Sequence, residues 1–403
     1  MITQAENDLM TRVGKGTPAG ELLRRYWHPV ALAAELTESK PTQAVTILGE
    51  KLVVFRQPPK PGETQPSYGL IQENCPHRRA SFAYGTPDCE GIRCRYHGWK
   101  FAADGHCLET PAEPADSPMK ARMHATTYPV QKLAGLLWAY MGPQPAPLLP
   151  HWDVLAREDG RRWIVAESQI DCNWLQAMEN SVDPSHLYWL HSASAHLGDW
   201  MKHYDEKHEF IKFEYGIQKR RTTPGKKPGD APSIDEHPLL FPCTLRHVSN
   251  DGARKDGKKY FRHNLQVRVP IDDEHIKVYR INFVPSETER SPADVDPPHE
   301  YRPLKSETGE YYMDIVSAQD SMAWESQGAI ADRTQETLGA SDVGVAMLRR
   351  LLKEQIEIVQ KGGEPMGVVR DPAKNRVIHI DVVNERMGLF RGESRPKAET
   401  VDA

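Results

Sequence analysis

Two short segments constrain this chain more than any other: Asn74-Cys75-Pro-His77-Arg-Arg and Arg93-Cys94-Arg-Tyr-His97-Gly-Trp-Lys-Phe101. Each offers one thiolate and one imidazole, and sixteen residues separate His77 from Cys94. A centre held by all four must tie two loops together. A [2Fe–2S] cluster with two Cys on one iron and two His on the other takes this donor set, two ligands from each loop. Neutral imidazoles raise its reduction potential, which suits a relay that accepts an electron and passes it on. A Cys2His2 zinc site uses the same atoms, but zinc spacing typically pairs Cys with Cys and His with His. One of each per loop favours iron–sulfur. Cys89 and Cys107 are the internal competitors, and neither has a histidine at matching spacing.

A second stretch runs Asp171-Cys-Asn-Trp-Leu-Gln-Ala-Met-Glu179-Asn180-Ser-Val-Asp183-Pro184-Ser-His186-Leu-Tyr-Trp-Leu-His191. It is mostly apolar, yet it carries two histidines and three acids. Asp183 before Pro184 predicts a helix start, with Asp as N-cap and Pro at the first helical position. His186 then lies in the first turn, on the face of Asp183. His191 falls about 140° away on a regular helix, so one shared metal requires an irregular turn there. By themselves the two histidines read equally well as solvated or core residues.

The rest of the chain supplies a frame. Residues 1–30 read as helical, with Leu9, Met10, Leu22 and Leu23 as apolar points. Val13-Gly-Lys-Gly-Thr-Pro-Ala-Gly20 between them is a turn and not a phosphate loop, because no strand precedes it and the Gly-Lys-Ser/Thr ending is missing. From about Thr42 strands take over. Ala44–Leu48 and Lys51–Arg56 flank a hairpin at Gly49-Glu50, a Pro-rich loop runs from Pro58 to Pro66, and Leu136–Met141 is a buried strand. Pro143 to Pro150 reads as a linker. Beyond the second stretch, Ile211, Phe213, Tyr215 and Ile217 alternate with polar residues. Leu265–Val269 and Ile276–Val284 are further strands, with a turn at Asp272-Asp273-Glu274. Thr222–Pro238 and Pro285–Thr308 read as long polar loops. Helices are expected over Ser317–Leu338 and Asp342–Gln360, the second capped by Ser341 and stopped at Gly362-Gly363. The domains expected are a helical segment 1–29, an all-β unit 30–143 and a second domain 151–395.

A formal charge of −5 over 403 residues gives no polybasic signature, which argues against nucleic acid and anionic membrane as partners. No apolar run approaches the roughly 20 residues a bilayer needs. The N-terminus shows no signal-peptide pattern, and six cysteines in a chain this long read as reduced thiols or ligands in a cytoplasmic protein. No Gly-x-Gly-x-x-Gly loop for a dinucleotide is visible.

In combination these motifs resemble the oxygenase component of the Rieske non-haem iron oxygenases. Within them the chain is most similar to the phthalate-dioxygenase-like group of aromatic-acid hydroxylases and O-demethylases. The resemblance spans nearly the whole chain: Arg24-Arg-Tyr-Trp-His-Pro-Val, the two Cys/His pairs, the Glu179-Asn-x2-Asp-x2-His-x4-His191 stretch, and Gln319-Asp-Ser-Met-Ala-Trp-Glu-Ser-Gln-Gly-Ala-Ile-Ala-Asp-Arg333. It implies an α+β chain: an N-terminal all-β Rieske domain, then a catalytic domain with an antiparallel sheet flanked by helices, helix-grip or START-like. It implies that Cys75, His77, Cys94 and His97 hold a [2Fe–2S] cluster. His186 and His191 would bind a mononuclear Fe(II), completed by an acid at the start of a downstream helix, Asp320, with Asp314 and Glu325 as alternatives. Asp183 would be a carboxylate bridging the two centres across a subunit boundary, and Asn180 and Glu179 would support the iron site or serve the core. The implied partners are O2, an aromatic substrate and a separate NAD(P)H-dependent reductase or ferredoxin, and the implied assembly is a homotrimer or a multiple of it. Arg220, Arg246, Arg262, Arg268 and Arg280 lie where a carboxylate could be gripped. Strand alternation alone reads each as a surface residue. Two other functions compete: a Rieske electron carrier with no use for the His186/His191 pair, and a zinc-stapled scaffold.

Overall fold

The computed structural model describes residues 2–191, 205–225, 229–253, 259–393 and 395. Helix α1 (Gln4–Thr11) opens on a capping box in which Thr3 and Glu6 exchange hydrogen bonds. Helix α2 (Pro18–Leu23) has Thr17 as N-cap and Pro18 at its first position. The helical reading of 1–30 overshoots, because β1 (Trp27–Leu32) has already begun.

Short strands follow: β2 (Thr42–Ile47), β3 (Glu50–Gln57), β4 (Ser67–Gln72), β5 (Thr86–Pro87), β6 (Gly91–Arg93), β7 (Lys100–Ala102), β8 (Cys107–Glu109), β9 (Thr127–Tyr128), β10 (Val130–Leu133) and β11 (Leu136–Tyr140), with one-turn helix α3 (Met119–Arg122) after β8. They make three small sheets, in the orders β1-β11-β10, β2-β3-β4-β9 and β5-β6-β7-β8. The β2–β3 hairpin turns on Leu48-Gly49, both with positive φ (48° and 75°), one residue before the expected pair. Val53, Phe55, Ile71, Phe82, Ile92, Trp99 and Phe101 pack into a separate small core under the two Cys/His loops.

The second half starts with helix α4 (Asp153–Ala156) and β12 (Gly160–Glu167), then helices α5 (Trp174–Ser181) and α6 (Ser185–Trp189). Strands β13 (Lys207–Phe213), β14 (Gly216–Thr223), β15 (Ser233–Leu240), β16 (Thr244–Ala253), β17 (Lys259–Pro270), β18 (Ile276–Pro285) and β19 (His299–Arg302) follow, then α7 (Val316–Glu325), α8 (Val343–Gln360) and β20 (Val383–Asn384). One nine-stranded sheet runs β13-β14-β15-β16-β17-β18-β12-β19, with β20 on β15. It is antiparallel except where β19 lies parallel to β12. Side chains alternate across it. On β17, Leu265 and Val267 face the side shared with Trp27 and Trp138. Asn264, Gln266 and Arg268 point the other way, where Arg268 reaches α5 and Trp324 of α7. Helices α5 and α7 therefore lie on that polar face. Among the described residues no helix is long and apolar enough to cross a membrane.

Four expectations need correction. Thr222–Pro238 is no long loop: β14 runs to Thr223 and β15 starts at Ser233, with residues 226–228 outside the described ones. Polarity misled here because charges are matched across the pair, Arg221 to Asp235 and Arg220 to Glu236. Pro285–Thr308 likewise contains β19. Helix α7 ends at Glu325 rather than Leu338, and Gly328 follows with φ 91°. The turn brings Arg333 back onto Glu179, its Nη2 at 2.7 Å, a contact that a continued helix would break. Helix α8 begins at Val343, and its N-cap is Asp342, not Ser341.

Candidate metal centres and active site

The two Cys/His loops are built alike. In each, the cysteine carbonyl accepts an N–H from four residues on (Arg79 to Cys75 and Gly98 to Cys94, both 2.9 Å), and the cysteine N–H returns to the next residue's carbonyl (Ala80 and Trp99). Both turns close through positive φ, 64° at Arg79 and 75° at Gly98. Cys75 and Cys94 are buried side by side, while His77 and His97 lie outside them with ring centres 4.6 Å apart. His77 stacks on Trp99 at 4.4 Å. Burial pushes the Cys75 thiol up to about 11, against the opposing N–H of His77. A bound cation would offset that cost.

The pairing decides between zinc and iron–sulfur. One tetrahedral ion needs all four donor atoms within about 4 Å of one another. Among the described residues, no three of these four donors lie within 4.8 Å of one another; only His186, His191 and Asp320 do so. Thiols beside thiols and imidazoles beside imidazoles is the arrangement for a two-iron cluster.

The second centre depends on where α6 stops. The helix starts at Ser185, one residue later than Asp183-Pro184 suggested, and Asp183 Oδ1 accepts the Ser185 N–H at 2.9 Å. It ends at Trp189, so His191 lies beyond the regular turns. That ending supplies the irregularity the five-residue spacing required. The His186 and His191 rings meet at 5.3 Å and 82°.

Their outer nitrogens are both engaged. His186 Nδ1 faces the Asp183 carbonyl, which can only accept, and His191 Nδ1 lies 2.7 Å from Gln319 Oε1. Gln319 Nε2 is held by the Met313 carbonyl at 2.6 Å, which fixes the amide's orientation. Both protons are therefore on Nδ1, and both Nε2 lone pairs turn inward, the state a metal needs. They meet Asp320 Oδ1, 3.7 Å from His186 and 3.3 Å from His191. Asn180 Nδ2 reaches the same oxygen at 3.4 Å. Burial lowers His186 to about 4, against the charges of Asp320 and Asp183.

The alternatives to Asp320 lie elsewhere. Asp314 is exposed. Glu325 is no solvated helix face: it accepts the Asp171 N–H at 3.0 Å and meets Lys305 and Tyr311. Glu179 is paired with Arg333 and Arg349, away from the three converging donors.

The surface reading fails for Arg246 and Arg268, while Arg220, Arg262 and Arg280 are partly buried and paired. Arg246 and Arg268 are fully buried, Arg280 pairs with buried Glu167, Arg220 pairs with Glu236, and Arg262 Nε donates to Ser249. Arg246 sits on the far face, pairing with Asp153. Arg268 donates to Ser181 Oγ at 2.6 Å and to the Ala177 carbonyl, so it anchors the helix that leads to His186 and His191. Gln319 had no signal beyond standing next to Asp320. A cavity of about 50 Å³ lined by Trp27, Trp138, Trp152, Phe241, Leu265 and Val267 lies on the sheet's opposite face and is not the place for a substrate.

A paired-loop cluster site and a separate two-histidine, one-carboxylate site define an oxygen-activating non-haem iron protein. A model of the Rieske [2Fe-2S] domain matches residues 26–130, and one described as LigXa C-terminal domain like matches 261–388. The chain is 38% identical to the 5,5'-dehydrodivanillate O-demethylase oxygenase subunit of Sphingobium sp. (strain NBRC 103272 / SYK-6), over 96% of this chain and 89% of that protein. It is 30% identical to the phthalate 4,5-dioxygenase oxygenase subunit of Pseudomonas putida, over 95% and 92%. The structure of Pseudomonas putida CBB5 NdmA with caffeine shares the fold, with a TM-score of 0.64 at 23% identity over 85% of this chain and 94% of that one. The chain belongs to the Rieske non-haem iron oxygenases, as a terminal oxygenase component whose cofactors are a [2Fe–2S] cluster and a non-haem iron.

Proposed function

We propose that this oxygenase O-demethylates or hydroxylates an aromatic acid, with O-demethylation favoured by the likeness to a demethylase subunit across 96% of the chain. The observation that carries the oxygenase reading is the convergence of His186 Nε2, His191 Nε2 and Asp320 Oδ1 within 4.8 Å. In this reading Cys75, His77, Cys94 and His97 hold the cluster, and His186, His191 and Asp320 hold the iron. When bound, the cluster supplies single electrons and the iron supplies the site at which O2 is reduced beside the substrate.

The chain's own residues do the positioning. The Asp183 carbonyl and Gln319 Oε1 keep each Nδ1–H in place, so neither ring can rotate its lone pair away. Asn180 steadies the Asp320 oxygen. Asp183 uses Oδ1 on the Ser185 N–H, and its Oδ2, 3.7 Å from His186 Nδ1, is left to receive a Rieske histidine of a neighbouring copy. In this reading the copies are arranged as a homotrimer or a multiple of it, the assembly the family resemblance implies. Residues 30–143 form the cluster domain and 151–395 the catalytic domain, with 1–29 packed on the latter through Asn7, which bonds Ala331 and Arg333. Electrons come from a separate reductase or ferredoxin, and the protein works in the cytoplasm.

A panel of methoxylated and unsubstituted aromatic acids, with O2 uptake and formaldehyde followed together, tests the choice. Formaldehyde released in step with O2 consumed supports demethylation. A dihydrodiol without formaldehyde selects ring hydroxylation. Failure of every aromatic to stimulate O2 uptake in the reconstituted system contradicts the proposal.

A further inference from the structure

The polar face of the large sheet carries a row of buried side chains that the metal sites do not use. Lys219 on β14 lies opposite His237 on β15, His247 on β16 lies opposite Asn264 on β17, and Asn264 lies opposite Asn282 on β18. The His237 and His247 rings touch at 4.2 Å, which joins the two halves into one row across five strands. Asn264 and Arg268 share a face, being an even number of residues apart, so the row looks toward the helices of the iron site.

Two nitrogens in this row lack partners among the described residues. Lys219 is 6% exposed, and among the described residues its ammonium has no hydrogen bond and no carboxylate within 4 Å. His237 is 4% exposed and its Nε2 is buried without a partner. The nearest acid on the strands is Asp235, but its charge is already used: Oδ2 binds Arg221, and Oδ1 lies 3.1 Å from His237 Nδ1. Asp183 attracts the lysine only at longer range, and in the reading above it already has a duty between the two metal sites. A bound iron would add positive charge and leave the lysine still less compensated. A buried cation without a counter-ion is costly unless something anionic joins it. Burial lowers the Lys219 ammonium only to about 8, so it stays charged at neutral pH. Its field reaches the iron site, where it acts on His186 after burial, Asp320 and Asp183.

Resting on the oxygenase reading above, we propose that Lys219 is the substrate anchor. Its Nζ takes the anionic oxygen of an aromatic ligand, a carboxylate or a phenolate, and so presents the ring to His186, His191 and Asp320. With Nδ1–H given to Asp235, His237 Nε2 is an acceptor, and it receives a hydroxyl proton of the same ligand. None of the five arginines singled out in the sequence fills this role, because each already has a partner in the protein.

The test is anaerobic equilibrium binding to the holoenzyme, using methoxybenzoate and its amide, and methoxyphenol and its dimethoxybenzene counterpart. Wild type should bind at least one anion more tightly than its neutral partner, and the pair that does so distinguishes carboxylate from phenolate. Lys219→Met should weaken that anion about 30-fold or more, the lower end for truncating one side of a buried charge pair, and leave the neutral partner unchanged. Lys219→Arg should restore most of the affinity, and Lys219→Gln serves if the Met variant does not fold. Iron content and cluster absorbance are measured on each variant. Loss of the mononuclear iron from wild type would count against the oxygenase reading, whatever the lysine does. Equal anion binding by wild type and Lys219→Met, or no preference of wild type for any anion over its neutral partner, overturns the anchor.

Discussion

Two outer nitrogens decide how firmly the iron site is held. Gln319 accepts from His191 Nδ1 and donates to the Met313 carbonyl. Gln319→Leu should weaken iron binding about 10- to 100-fold, measured by Fe(II) titration of the metal-stripped site, while Gln319→Glu, which keeps an acceptor, should lose less. Asp183 differs, because its contact with the ring of His186 is made by the backbone carbonyl. Asp183→Asn should therefore leave both metal sites loaded and still cut turnover about 100-fold, as read by O2 uptake against iron content. Turnover near the wild-type rate would remove the bridging role. The proposed ligands were legible because a metal needs specific atoms at specific spacings, and Cys75, His77, Cys94, His97, His186 and His191 carry that spacing in the chain. Gln319, Lys219 and His237 were not. The roles proposed for them rest on which groups the fold brings together and which neighbours are already engaged, and no local pattern records either.

Helix α5 is positioned by buried charge rather than by propensity. Glu179 on its inner turn accepts from Arg333 Nη2 at 2.7 Å and from Arg349 Nε at 2.6 Å, and Arg349 also holds Glu336. This network ties α5 to α8 and to the loop after α7. Glu179→Gln leaves two buried guanidinium groups short of charge and should cost about 3–5 kcal/mol, read as a lower denaturant midpoint. The pH dependence has a definite sign. Burial opposes the Glu179 carboxylate, but the two arginines outweigh it and hold the carboxyl below its ordinary value of 4.5. Its stabilisation is therefore present above about pH 4.5 and is lost as pH falls through the folded-state value. Wild type should lose stability faster than Glu179→Gln on acidification below pH 4.5, and parallel curves would show that the pair does not titrate as described. The same network explains why the α7 boundary was misread. A helical pattern continues past Glu325, but Arg333 has to turn back to reach Glu179. Elements set by periodicity, such as α8 and β18, were legible to within a residue or two, whereas those set by a distant charge were not.

The molecule as a whole carries two different metal stations on one chain, with a separate small core beneath the two Cys/His loops and a polar sheet face behind His186, His191 and Asp320. The resemblance in sequence conveyed this plan, because each station has its own motif. The nine-stranded sheet was only partly legible, since its buried charged strands look like loops until their partners are known. Chelation of the mononuclear iron should abolish turnover and leave the cluster's visible absorption intact, with activity returning on addition of Fe(II). The most direct test of the whole account is a count of metal and acid-labile sulfide in the purified protein after Fe(II) is restored. The account predicts about three irons and two sulfides per chain, two of the irons in the cluster and one at His186, His191 and Asp320. Two irons that no added Fe(II) raises would leave only an electron carrier, and zinc without sulfide would contradict both stations.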